Sequence, residues 1–152
     1  MSKTSNFVGA VGLLALLASG LVGVQSAAAA TPCVTIHRIY YNSPGTDTRS
    51  NASLNREWIQ LHNRCSAARS LTSSKIKDAA RHSYTFSSYV LGAGKYVTVH
   101  TGRGTNTSTN RYWGQSGYIW NNDRDTAYLY NRSGTRIDSC SYNNRKASSV
   151  AC

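Results

Sequence analysis

Six carboxylates (Asp47, Glu57, Asp78, Asp123, Asp125, Asp138) and four histidines (His37, His62, His82, His100) are the side chains here that could move protons near neutral pH. General acid–base catalysis needs two such groups converging at a cleft. The histidines fall on separate segments, and no two have the helical spacing of a zinc-binding pair. No Ser/His/Asp order, nucleophile elbow or phosphate-cradling glycine loop is present, and Gly102-Arg103-Gly104 is too short to signal phosphate binding. Asn121-Asn122-Asp123-Arg124-Asp125 offers oxygens to a hard cation, yet it lacks the glycine and distal glutamate of a calcium loop and carries Arg124. It reads as a turn. His62 and His100 could meet across a sheet as metal ligands, but the simpler reading is two strand histidines, solvated or bonded to neighbouring backbone. Glu57 reads as structural, ion-paired or bonding loop backbone. The expectation is no catalytic residue, no metal site and no cofactor.

A different chemistry is open to the aromatic and basic residues. Trp58, Tyr96, Tyr128 and Tyr130 on a sheet face, with Arg103, Arg111, Tyr112 and Trp113 on a loop, could stack bases or sugar rings while cations meet phosphates. Tyrosine is also common in β-proteins, and Trp58, Trp113 and Trp120 would serve equally as core residues.

The elements that must position these residues are strands. No window after the first thirty residues sustains an apolar period near 3.6, whereas short segments alternate with period two between Gly, Asn, Ser and Asp clusters. The alternation predicts strands over Val34–Tyr41, Glu57–Asn63, Leu71–Asp78, Ser83–Phe86, Lys95–Thr101, Tyr118–Trp120, Thr126–Tyr130 and Arg136–Ser141. Seven or eight short, mostly antiparallel strands fit an all-β sandwich or a small barrel. Ile59, Leu61, Val97, Val99, Ala127 and Leu129 would line the inner face, leaving Trp58, Gln60, His62, Tyr96, Thr98, His100, Tyr128 and Tyr130 outside. Two long connections, Asn42–Arg56 and Gly102–Gly117, are candidate functional loops.

Residues 1–30 read as a cleaved secretory signal, with Lys3, an apolar run from Phe7 to Val24, and Ala28-Ala29-Ala30 before Thr31. A single exported domain would then span 31–152, with no membrane span left after cleavage. The whole chain carries a net charge of +11, and the signal removes only Lys3 from that excess. Such a balance favours polyanions, whether nucleic acid or an anionic envelope polymer, through counterion release. All four cysteines lie in the exported part, which points to two disulfides in an oxidising, extracellular setting. Antiparallel pairing of the first two strands would bring Cys33 beside Cys65, and Cys140 with Cys152 would tie down the tail.

Several segments recur in an order that carries more information than any one of them. Tyr41-Asn42-Ser43-Pro44-Gly45 closes the first strand, Asn55-Arg56-Glu57-Trp58-Ile59-Gln60-Leu61-His62-Asn63 forms the second, and Leu71-Thr72-Ser73-Ser74 follows. Then come His82-Ser83-Tyr84-Thr85-Phe86, Val97-Thr98-Val99-His100-Thr101-Gly102-Arg103-Gly104 and Asn121–Leu129. In order and spacing this resembles the lamin tail domain, in particular its small secreted bacterial members. The resemblance implies an immunoglobulin-like β-sandwich with two departures. Family members have Leu-Ser-Gly-Trp where this chain has Leu71-Thr72-Ser73-Ser74, and a glycine where Arg124 stands, which strains Arg124 if that position needs a positive φ.

These readings converge on an exported, non-catalytic binding or structural module that associates with polyanions. The alternatives are a secreted nuclease or hydrolase, since bacterial domains of this kind accompany such enzymes, and a secreted protease inhibitor using a protruding loop such as Gly102–Gly117.

Overall fold

Alternating apolar and polar side chains give each long strand one face that must leave water, and the chain satisfies this with two sheets packed across one core. The computed structural model describes residues 31–152, so the expected signal over 1–30 lies outside the described residues. The strands are β1 (Val34–Tyr40), β2 (Trp58–Asn63), β3 (Arg69–Ser70), β4 (Lys75–Lys77), β5 (Ser83–Thr85), β6 (Val90–Leu91), β7 (Tyr96–His100), β8 (Asn110–Tyr112), β9 (Arg124–Tyr130), β10 (Arg136–Asn143) and β11 (Ser149–Ala151). One helical turn, α1 (Asn51–Leu54), precedes β2. A five-stranded sheet has the order β11-β1-β2-β7-β8, a four-stranded sheet the order β10-β9-β4-β5, and β3 pairs with β6. All pairings are antiparallel except β7 with β8.

The core is a single cluster fed by both sheets. Ile59, Leu61, Val97, Val99, Ala127 and Leu129, the six residues expected inside, are each 0% exposed. Ile36 and Ile39 from β1, Ile76 from β4, and Phe86, Leu91, Trp120 and Tyr142 complete it. Burying each large aliphatic side chain contributes roughly 1.5–3 kcal/mol, which makes this cluster the main favourable term.

Seven of the expected strands form, and local chemistry explains the differences. Tyr118–Trp120 makes no ladder; Ile119 and Trp120 are buried and the Ile119 amide donates instead to the Glu57 carboxylate at 2.8 Å. Leu71–Ser74 turns rather than extends, with Ser73 at φ 64°, so β4 begins only at Lys75. The four additional strands, β3, β6, β8 and β11, span two or three residues each, too short for alternation to register. Both long connections also hold structure: α1 sits in the first, capped by the Ser50 hydroxyl accepting from the Ser53 amide, and β8 sits in the second.

Both disulfides join the expected partners. Cys33–Cys65 staples the start of β1 to the end of β2, with Cα atoms 5.1 Å apart, and Cys140–Cys152 fastens the segment after β11 to β10, at 5.8 Å. Between these anchors the two sheets are also sewn by a side chain. A bulge in β1 between Ile36 and Arg38 lies near a bulge in β10 between Arg136 and Asp138, and the Asp138 carboxylate accepts from the Ile36 amide at 2.7 Å. The bulge frees an amide that the ladder does not use, and Asp138 satisfies it.

Candidate binding faces

Strand register decides which side chains share a surface, because residues directly opposite in a ladder project from the same face. On the four-stranded sheet, Tyr130 lies between Lys75 of β4 and Arg136 of β10, and Tyr128 lies between Lys77 and Ser139. Thr85 and Ser83 of β5 extend the two rows beyond Lys75 and Lys77. Farther along β9, Thr126 is opposite Ser141, its hydroxyl 2.8 Å away, and Arg124 is opposite Asn143. The outward residues of these four strands include four cations and no carboxylate. The rings and cations are in contact: the Lys77 ammonium stands 5.2 Å from the Tyr130 ring centre and the Arg136 guanidinium 5.7 Å from that of Tyr128. The two tyrosine rings are 6.5 Å apart and tilted by 51°.

The outer face of the five-stranded sheet is built differently. Tyr40, Trp58, His100 and Tyr112 form one cross-strand row; Arg38, Gln60, Thr98 and Asn110 form a polar one; His62 and Tyr96 sit in a third. Neighbouring rings stack on each other, Tyr40 on Trp58 at 5.4 Å, His100 on Tyr112 at 5.1 Å and His62 on Tyr96 at 4.1 Å, so much of their aromatic surface is used within the sheet. His37, beside His62, has its pKa lowered by burial, by the nearby His62 and by Arg38. Two grooves flank Tyr96, one of about 560 Å³ beside Lys95, Val90 and Asn110, the other of about 430 Å³ beside His37, Arg64 and Asp138.

The eight residues singled out from the sequence therefore fall in different places. Tyr128 and Tyr130 belong to the four-stranded face, while Trp58, Tyr96 and Tyr112 belong to the opposite one. Arg111 and Trp113, expected on a loop, belong to β8 and its extension and turn inward. Arg111 stacks 4.1 Å over the Tyr89 ring, and Trp113 packs on Tyr84 and Trp120. Arg103 is exposed on a loop whose backbone is gripped by Asn51 and Asn55, at 2.7 to 3.0 Å. Sequence reading passed over Lys75, Lys77 and Arg136, although the Lys75-Ile76-Lys77 alternation is a visible sign of two cations on one strand face.

The remaining polar groups are tied into structure. Glu57 is fully buried at the start of β2; its Oε1 accepts from the Thr101 hydroxyl at 2.6 Å and from the Ile119 amide, while Oε2 has no partner. Burial pushes its pKa up to about 7 against those hydrogen bonds, which act in the other direction. Asp125 accepts from the amides of Ala79, Asn121 and Thr126, so the Asn121–Asp125 segment is organised around its own carboxylate. Arg124 opens β9 and is not among the residues with positive φ, so the replaced glycine brings no strain there. His100 bonds to Asn55 and Asn110, and its cross-strand partner is Trp58 rather than His62. Among the described residues no three His, Cys, Asp or Glu side chains are grouped to hold a metal.

No curated protein matches the chain. The model of the Lamin Tail Domain family matches residues 27–144, most of the sequence, and the chain belongs to that family.

Proposed function

We propose that this immunoglobulin-like domain is an exported binding module that holds polyanions on the outer face of the sheet β10-β9-β4-β5. The observation that carries the reading is the row pattern Lys75–Tyr130–Arg136 and Lys77–Tyr128–Ser139, with Arg124 beyond it and no outward carboxylate among these strands. Cations placed together on a flat face displace several counterions from one polymer at once, which scattered charges do less well. Export is supported by the two disulfides, and no helix of the described residues is long and apolar enough to cross a membrane. The carboxylate best placed by its pKa for proton transfer, Glu57, is sealed from solvent, which favours binding over hydrolysis.

The test is a salt titration of heparin and oligonucleotide binding. The triple variant Lys75→Ala, Lys77→Ala, Arg136→Ala is expected to lose most of the affinity and to flatten the dependence of log K on log salt by about 2, at roughly 0.7 per contact removed. Unchanged affinity and slope in a folded triple variant would reject this face.

A further inference from the structure

We propose that the four-stranded face takes a single, unstacked strand of nucleic acid, with Tyr128 and Tyr130 each holding one base while Lys75, Lys77 and Arg136 meet the phosphates. This rests on the polyanion reading above and narrows it to one ligand class.

The argument begins with what a cationic face alone would require. A polymer recognised only by its charge needs cations, and serine or threonine could fill the space between them. Here the middle position of each row is a tyrosine with basic neighbours, Lys75 and Arg136 around Tyr130, Lys77 beside Tyr128. The rings do not stack on one another, being 6.5 Å apart and inclined at 51°, unlike the paired rings across the molecule at 4.1 to 5.4 Å; each is instead approached by a cation, Lys77 at Tyr130 and Arg136 at Tyr128, which a base on the ring would displace toward the phosphates. Their separation is about twice the 3.4 Å rise between stacked bases, and their tilt rules out a continuous stack running over both. A duplex keeps its base faces inside the helix and offers only edges, so flat side chains on an open sheet cannot reach them. A single strand can splay its bases, and base–aromatic stacking needs no particular sequence because every base has a π-face. Exposed Ser83, Thr85, Ser139 and Ser141 on the same face supply hydroxyls for the backbone.

The experiment compares four probes on the disulfide-bonded protein: an oligothymidylate, an abasic oligonucleotide of the same length, a duplex, and heparin. Oligothymidylate is expected to bind about tenfold or more tightly than the abasic strand. The pair Tyr128→Ala, Tyr130→Ala should erase that difference while leaving heparin binding within about twofold, and Tyr128→Phe, Tyr130→Phe should restore it because the rings remain. Equal binding of the abasic strand and oligothymidylate, or preference for duplex, overturns the inference and leaves the polyanion reading standing. Failure of all four probes to bind at low salt overturns both.

Discussion

Glu57 and Ser73 are both held against their own preferences. Glu57 is buried with one carboxylate oxygen unpartnered, and its pKa rises from about 4.5 to about 7 because burial disfavours the charge. A carboxyl whose pKa is higher folded than unfolded binds more protons in the folded state between the two values, so stability falls as pH rises across that window. The loss is on the order of 3 kcal/mol between pH 4.5 and pH 7. Glu57→Gln keeps an acceptor for Thr101 and Ile119, and it is expected to flatten this decline; urea midpoints at a series of pH values check it. Ser73 sits at φ 64°, a conformation that costs a non-glycine residue about 1 kcal/mol or more. Its side chain is exposed, so Ser73→Gly is expected to stabilise the protein by about 1 kcal/mol in thermal or urea unfolding. Gly102 answers a different need: a Cβ there would lie 2.5 Å from the Asn55 amide oxygen and 2.7 Å from that of Asn51, the two side chains that clamp Arg103.

At the scale of elements, the short strands depend on covalent and side-chain anchors rather than on their own ladders. β11 has three residues and pairs only with the second half of β1, ending in a Cys152 amide that donates to the His37 carbonyl at 2.9 Å. The Cys140–Cys152 bond holds that end against the other sheet. Replacing both cysteines by serine is expected to cost about 3 kcal/mol and to raise amide exchange at Val150 and Ala151 well before the core, measured by hydrogen exchange. How much of this could be read in the chain differs by element. β2, β7 and β9 were legible because five or more alternating residues put a buried face on record. β8 and β11 were not, since three residues define no period, and β11 pairs with a strand at the other end of the domain. The turn at Ser73 was hidden too, because a serine does not announce a left-handed backbone as glycine does.

Over the whole molecule, the cation excess is uneven in its use. Arg111 is spent on Tyr89 inside and Arg145 on Asp123 at 3.1 Å, whereas Lys75, Lys77 and Arg136 share one face without an acidic neighbour across the ladder. If location matters more than total charge, replacing the exposed Arg56, Arg64 and Arg103 by alanine removes as many charges as the four-stranded-face triple. It is expected to weaken oligonucleotide binding by about threefold at most, through long-range attraction alone. Parallel affinity measurements on the two triples check this.

The sequence by itself determined the β class, the inward set of residues and the family, because period-two patterning and the order of motifs are local or nearly local facts. Of the three pairings that four cysteines allow it favoured one, and the structure decided for that one. Only the tertiary structure decided which aromatic and basic side chains stand together. Tyr128 meets Lys77 and Arg136 across ladders, and Tyr96 is carried to the opposite side, because a strand's face is set by its own alternation but its neighbours are set by the order of strands in the sheet.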